Sequence, residues 1–269
     1  MTPTLKEAIL VIIFPVLSIT AFWLWKKQIF IIIDGEFRDY LNFTLPLAGL
    51  IIAGSVFLLL GFFVKNKWAA YAASLIGISA PYLFIPATPV VFGTLILSML
   101  LTFFALHRLR KEYAISLGFS ISKIAKAGLP IYLTVASLII SIFYLARIDE
   151  RQAIASFLPK AAFNWVLENQ GKALTEQLGI PPELSRENSQ ESTELFYQAV
   201  TNSVEKLLGP YQKYLPFAAA AAFFLAFRTL SIPLYYAAII ITFLLIKFML
   251  WSKILKREIE EMQVEKITL

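Results

Sequence analysis

Residues 45–64 of the chain read LPLAGLIIAGSVFLLLGFFV, a stretch of twenty residues without a charged side chain that decides the fold class. At a rise of about 1.5 Å per residue, a helix of this length crosses the roughly 30 Å hydrocarbon layer of a bilayer. Lipid offers no hydrogen-bond partner to the backbone, and the stretch is continuously apolar instead of alternating. We therefore predict a transmembrane helix and not a barrel strand.

The composition extends this interpretation to most of the chain. Of the 269 residues, 58% are hydrophobic and 16% are charged, and the mean hydropathy is +0.71. Soluble domains have about 45–50% apolar and about 25% charged residues. We predict an all-α polytopic integral membrane protein, a bundle of about seven transmembrane helices, because similar apolar runs cover residues 8–25, 68–85, 89–106, 129–146, 215–227 and 233–251.

Tryptophans and prolines set the expected ends of several spans. Trp23 and Trp25 close the first run where an interfacial aromatic belt belongs, so we predict a retained anchor helix and not a cleaved signal peptide. Pro130 falls in the first turn of the fifth run, where its missing N–H costs nothing. Residues 228–232 separate the last two runs, and Pro233 is expected to start the second of them.

Basic residues beside the runs give the orientation. The turn 65–67 and the cluster 107–111 are rich in Lys and Arg, which favours the cytoplasmic side for both. Seven spans then place the N-terminus inside and the C-terminus outside, but the basic residues of the tail 252–269 contradict the same rule. If the run 215–227 is only half inserted, six spans return the tail to the cytoplasm, and both topologies stay open.

Residues 147–214 form a long water-compatible segment with nine acidic and seven basic residues. We therefore divide the chain into an N-terminal membrane bundle (1–146), this extracytoplasmic segment, a C-terminal helical hairpin in the membrane (215–251) and a charged tail (252–269).

Two helical patterns, over residues 160–178 and 192–208, predict that the extracytoplasmic segment is a helical hairpin. The apolar residues of the second pattern recur at three- and four-residue steps. They are a candidate surface for a protein partner, with packing of the hairpin on itself as the alternative. These residues are Leu195, Phe196, Val200, Val204 and Leu207.

A cationic stretch lies between the fourth and fifth runs. From position 108 to position 126 it carries five basic residues and one acid, and apolar residues on one helix face follow Ser120, a candidate N-cap. Such a helix could lie on the membrane and bind anionic lipid head groups, and an ordinary cytoplasmic connector is the equal alternative. The candidate lipid contacts are Arg108, Arg110, Lys111, Lys123 and Lys126.

The predicted spans contain little that could carry chemistry. None holds Asp or Glu, the chain has no Cys, and its single His107 lies beside arginines at the end of a run. This disfavours ion-coupled transport and an enzyme, and it predicts no catalytic, cofactor-binding or metal-binding residues. Arg228 and Lys247 are candidate intramembrane charges, with a turn position and snorkelling to the interface as their respective alternatives.

These patterns favour a non-catalytic accessory or assembly component of a membrane complex, which uses its extracytoplasmic segment for protein interaction. The alternative is a channel or carrier for an apolar or lipid-like substrate. Nucleic acid is not an expected partner, because the basic residues flank apolar runs. The expected location is the cytoplasmic membrane of a prokaryote, and no pattern specifies an oligomeric state.

Overall fold

The computed structural model describes residues 5–33, 41–116, 120–148 and 209–252. All regular structure in these ranges is helical, with no strand, which confirms the predicted all-helical class. Two 3-10 helices cover Ala80–Phe84 and Gly209–Tyr214. The α-helices are α1 (Leu5–Ile33), α2 (Leu41–Phe63), α3 (Lys67–Ser79), α4 (Pro89–Ile115), α5 (Ile121–Arg147) and α6 (Leu215–Trp251).

Five of the described helices, α1, α2, α4, α5 and α6, are long and apolar enough to cross a membrane. Helix α3 is shorter, at 13 residues, and a 3-10 helix continues it within the predicted span 68–85. The two helical patterns of the predicted extracytoplasmic hairpin, 160–178 and 192–208, lie outside the described residues together with the candidate partner surface at 195–207, as does the tail from position 253 onward.

The chain divides into two compact units. One comprises residues 1–146 together with 224–269 and contains α1 to α5 and most of α6. The other comprises residues 147–223, of which the structure describes the 3-10 helix Gly209–Tyr214 and the first residues of α6. All contacts described below lie within the first unit.

The C-terminal hairpin prediction is corrected by α6. A single helix of 37 residues covers both predicted runs, with Pro233 inside it. Hydroxyl groups bind carbonyls around the proline: Thr229 Oγ1 donates to Leu225 O at 3.1 Å, and Ser231 Oγ donates to Arg228 O at 2.6 Å. These hydroxyls bind carbonyls other than the one that Pro233 leaves without a helical donor, yet the helix continues through the proline, so Pro233 did not begin a new helix.

Helix α5 also differs from its prediction. It begins at Ile121, eight residues before the predicted span, and Pro130 lies inside it and not in its first turn. Ile124 N donates to Ser120 O at 3.1 Å, as expected for a helix that starts after Ser120. Ile121, Ile124 and Ala125 are buried, so the apolar face predicted to lie on the membrane packs within the protein and extends the helix.

Glycines allow close approach between helices. A Cβ atom at Gly49 of α2 would lie 3.2 Å from the Cβ of Ala21 on α1. A Cβ atom at Gly128 of α5 would lie 2.6 Å from the carbonyl oxygen of Ala105 on α4. The approach at Gly49 is close, and at Gly128 the backbones of α4 and α5 would have to move apart to admit a larger residue.

The centre of this unit is aromatic. The rings of Phe57 and Tyr132 stack with centroids 4.6 Å apart, and Phe14 lies 5.9 Å from Phe57 and 6.2 Å from Tyr132. All three side chains are fully buried. They join α1, α2 and α5 in one core.

The C-terminal end of α2 is held by a polar clamp, which consists of Glu7, Lys65 and Arg110. The guanidinium of Arg110 donates from Nη1 to Val64 O at 2.8 Å and from Nη2 to Lys65 O at 3.1 Å. The carboxylate of Glu7, which is buried, accepts from Lys65 N at 3.1 Å. Helices α1 and α4 thus satisfy backbone groups that the end of α2 leaves without helical partners.

Candidate functional site

A groove of about 410 Å³ lies between α5 and α6. This volume is in the range of small-molecule sites, roughly 300–1,000 Å³. Leu133 and Ser231 are buried, whereas Ile232 and Tyr236 are exposed, so the groove opens at the protein surface. We call it the α5–α6 groove, and its lining residues are Lys126, Pro130, Leu133, Arg228, Thr229, Ser231, Ile232, Tyr235 and Tyr236.

Helical spacing brings these side chains to the groove. On α5, Lys126, Pro130 and Leu133 follow one another at steps of four and three residues, so they share one face. On α6 the lining residues fall on two adjacent turns, at positions 228–232 and 235–236. The groove therefore depends on both helices continuing through residues where the sequence predicts a helix start or a break.

Arg228 is the central polar residue of the groove and is partly buried. Its Nη1 donates to Ser231 Oγ at 2.9 Å and, over a longer distance of 3.5 Å, to Pro130 O on α5. Ser231 Oγ in turn donates to the carbonyl of Arg228, which orients the hydroxyl oxygen toward the guanidinium. Within the described residues, Nε and Nη2 make no hydrogen bond, so one edge of the guanidinium is available to a ligand.

The groove carries two positive charges, on the exposed Lys126 and the partly buried Arg228, and no carboxylate of the described residues balances them. Glu7 and Glu112 are the acidic residues in the part of the chain that the structure describes, and neither lines the groove. A charged group that leaves water needs a partner, and a guanidinium in an apolar helix is costly without one. The electrostatics of the α5–α6 groove therefore favour an anion.

Tyr235 adds a further polar group. Its hydroxyl oxygen is buried and has no hydrogen-bond partner among the described residues. A tyrosine hydroxyl can both donate and accept a hydrogen bond, so it can bind either an acceptor atom or a donor group of a ligand. Together with Arg228 and Lys126, it gives the groove polar groups beside apolar walls formed by Leu133 and Ile232.

Comparisons with known proteins assign no family. No family model matches the chain, and no curated protein or solved structure matches it.

The structure joins two residues that the sequence singled out separately. Lys126 was predicted as a lipid contact and Arg228 as an intramembrane charge, and both line the α5–α6 groove. Sequence reasoning missed Ser231 and Tyr235. A hydroxyl three residues after an arginine was the available signal for Ser231, and nothing in the sequence distinguished Tyr235 from its neighbour Tyr236.

The other predicted cations lie elsewhere. Arg110 binds the carbonyls of the polar clamp, while the exposed Arg108 places its guanidinium 5.3 Å from the centroid of the Phe104 ring. Lys111, Lys123 and Lys247 are exposed and do not line the groove. Their predicted contact with lipid or with the membrane interior stays a prediction.

His107 belongs to an aromatic contact. Its Nδ1 lies 3.4 Å from the hydroxyl of Tyr71, and its ring is nearly parallel to Phe103 at a centroid distance of 6.5 Å. The described residues contain no group of three or more His, Asp or Glu side chains that could hold a metal ion. The contacts of His107 with Tyr71 and Phe103 thus indicate a structural role for this residue.

Proposed function

We propose that this multi-pass membrane protein binds an anionic, lipid-like amphiphile in the α5–α6 groove and acts as a non-catalytic carrier of it. The supporting observation is that Lys126 and Arg228 both line a groove that no described acidic residue lines. The cations suit a negatively charged head group. The adjacent apolar residues Leu133 and Ile232 suit the start of an acyl chain.

Neutralising the two cations is expected to remove the preference for anionic lipid. For the double variant Lys126→Gln/Arg228→Gln, affinity for a short-chain anionic phospholipid in detergent should fall by roughly a hundredfold, at roughly tenfold for each lost charge-assisted contact. Affinity for short-chain phosphatidylcholine should change little, because its net charge is zero. Native mass spectrometry of the purified protein with titrated lipid measures both affinities.

Lys123→Gln is the matched control, because Lys123 lies on the same helix and is exposed but does not line the groove. It should retain the preference for anionic lipid. Equal loss in the control and the double variant would point to general surface charge and would contradict the proposal. A parent protein that binds both lipids equally would contradict it as well.

The proposed topology is the six-span one, in the cytoplasmic membrane of a prokaryote. The continuous α6 supports a single crossing by residues 215–251, which returns the tail 252–269 to the cytoplasm. Since the chain has no Cys, single cysteines can be placed at Ser189 and Ser252. An impermeant thiol reagent is expected to label position 189 in intact cells and position 252 only after permeabilisation. Labelling of both in intact cells would support seven spans.

The accessory or assembly role remains a prediction. It rests on the helical patterns 160–178 and 192–208, which lie outside the described residues, whereas the carrier proposal rests on described side chains.

A further inference from the structure

Two prolines give the α5–α6 groove hydrogen-bond acceptors in addition to its cations. Pro130 lies inside α5 and Pro233 inside α6. A proline has no N–H, so the carbonyl four residues earlier loses its helical donor. These carbonyls belong to Lys126 and Thr229, and both residues line the groove.

Nearby hydroxyls do not replace the lost donors. Thr134 Oγ1 donates to Pro130 O at 2.8 Å, Thr229 Oγ1 to Leu225 O at 3.1 Å, and Ser231 Oγ to Arg228 O at 2.6 Å. Each hydroxyl has one proton, and in all three cases this proton is donated to a carbonyl other than those of Lys126 and Thr229. Among the described residues, no side-chain donor reaches the carbonyl oxygen of Lys126 or Thr229.

A backbone carbonyl without a hydrogen-bond donor has a high free energy in lipid. A ligand that donates a hydrogen bond to this carbonyl removes that free-energy cost. The groove thus combines donors for negatively charged oxygens, at Arg228 and Lys126, with acceptors for hydroxyl protons, at the carbonyls of Lys126 and Thr229. An ammonium group could also donate to these carbonyls. Lys126 and Arg228 disfavour an ammonium group at this place, because like charges repel.

We propose that the ligand is a phospholipid whose head group carries free hydroxyls beside a negatively charged phosphate, as in a glycerol or other polyol head group. This inference rests on the proposed function of the α5–α6 groove and specifies its ligand. The phosphate contacts Arg228 and Lys126, and the hydroxyls donate to the carbonyls that Pro130 and Pro233 leave without helical donors.

The test compares four short-chain phospholipids with the same acyl chains. Phosphatidylglycerol has one negative charge and two hydroxyls, phosphatidylmethanol has the same charge and no hydroxyl, phosphatidylethanolamine has a donor but no net charge, and phosphatidylcholine has neither. We expect phosphatidylglycerol to bind roughly tenfold more tightly than phosphatidylmethanol, the value of one or two buried hydrogen bonds. Phosphatidylmethanol should still bind more tightly than phosphatidylcholine.

Restoring the N–H groups tests the role of the prolines. In the variant Pro130→Ala/Pro233→Ala, both helices regain their donors, and the affinity ratio of phosphatidylglycerol to phosphatidylmethanol should fall to about one. Pro15→Ala is the matched control, since Pro15 lies inside α1 and does not line the groove, and it should leave the ratio unchanged. Thermal unfolding of each variant verifies that it is folded.

The outcomes separate this inference from the proposed function. Equal affinity for phosphatidylglycerol and phosphatidylmethanol, with both above phosphatidylcholine, would overturn the hydroxyl inference and leave the anion site standing. A ratio that survives the double proline substitution would also overturn it. Equal binding of all four lipids would overturn both, and so would phosphatidylethanolamine binding as tightly as phosphatidylglycerol.

Discussion

Replacing Gly128 with leucine is expected to lower the free energy of unfolding by ~3 kcal/mol, the upper part of the usual range for overpacking. A Cβ atom at this position would lie 2.6 Å from the carbonyl oxygen of Ala105 and 2.9 Å from the Cβ of Leu109. Both atoms are fixed to the backbone of α4 and cannot rotate away. The two helices would have to separate, which would open the contact between α4 and α5.

Gly93 provides the matched control, because no atom lies within 4 Å of a Cβ built there. Gly93→Leu should leave stability unchanged or raise it, since leucine is favoured over glycine in a helix by about 0.5–1 kcal/mol. The measurement is the fraction of monodisperse protein after heating in detergent, followed by size-exclusion chromatography. Similar melting curves for the two variants would show that α4 and α5 do not approach closely at Gly128.

Replacing Arg110 with alanine is expected to lower the free energy of unfolding by ~2 kcal/mol, because two carbonyl acceptors lose a charged donor. These acceptors, Val64 O and Lys65 O, lie at the end of α2 and have no helical donor of their own. The buried carboxylate of Glu7 also loses the attraction of the guanidinium. The same heating assay measures the loss as a lower melting temperature.

Arg108→Ala is the control for this prediction, since Arg108 is exposed and its guanidinium lies over a single aromatic ring. It should shift the melting temperature by less than Arg110→Ala does. Arg110→Lys should fall between the two, because an ammonium can reach one carbonyl but lacks the fork that reaches both. If Arg110→Ala instead leaves stability unchanged and weakens binding to anionic vesicles, the lipid contact predicted from sequence is the correct role.

The sequence was sufficient to predict α2. Residues 45–64 lack charge over a membrane-spanning length, and α2 covers Leu41–Phe63. A transmembrane helix satisfies its own backbone, so local composition is enough to identify it. The same reasoning predicted that α1, α4 and α5 are helical, although the observed helices extend beyond the apolar runs.

The prolines did not predict the ends of the helices correctly. Pro130 and Pro233 were expected near helix starts and lie inside helices, because neighbouring helices can offset the cost of a proline within a membrane helix. The interfacial position of Trp23 and Trp25 stays a prediction; in the structure Trp23 is 42% exposed, whereas Trp25 is 2% exposed and donates from Nε1 to Pro46 O. The partner of Trp25 is distant in the sequence, so the local pattern of residues did not predict this contact.

The sequence by itself determined that this chain is helical and suited to a membrane, because hydrophobicity and length act locally along each run. Only the tertiary structure placed Lys126 and Arg228 in the lining of one groove, although they are 102 positions apart in the sequence. Which side chains meet between two helices depends on where the helices cross and how closely glycines allow them to approach. A single apolar run carries no record of its partner helix, so the α5–α6 groove could not be derived from the pattern of residues alone.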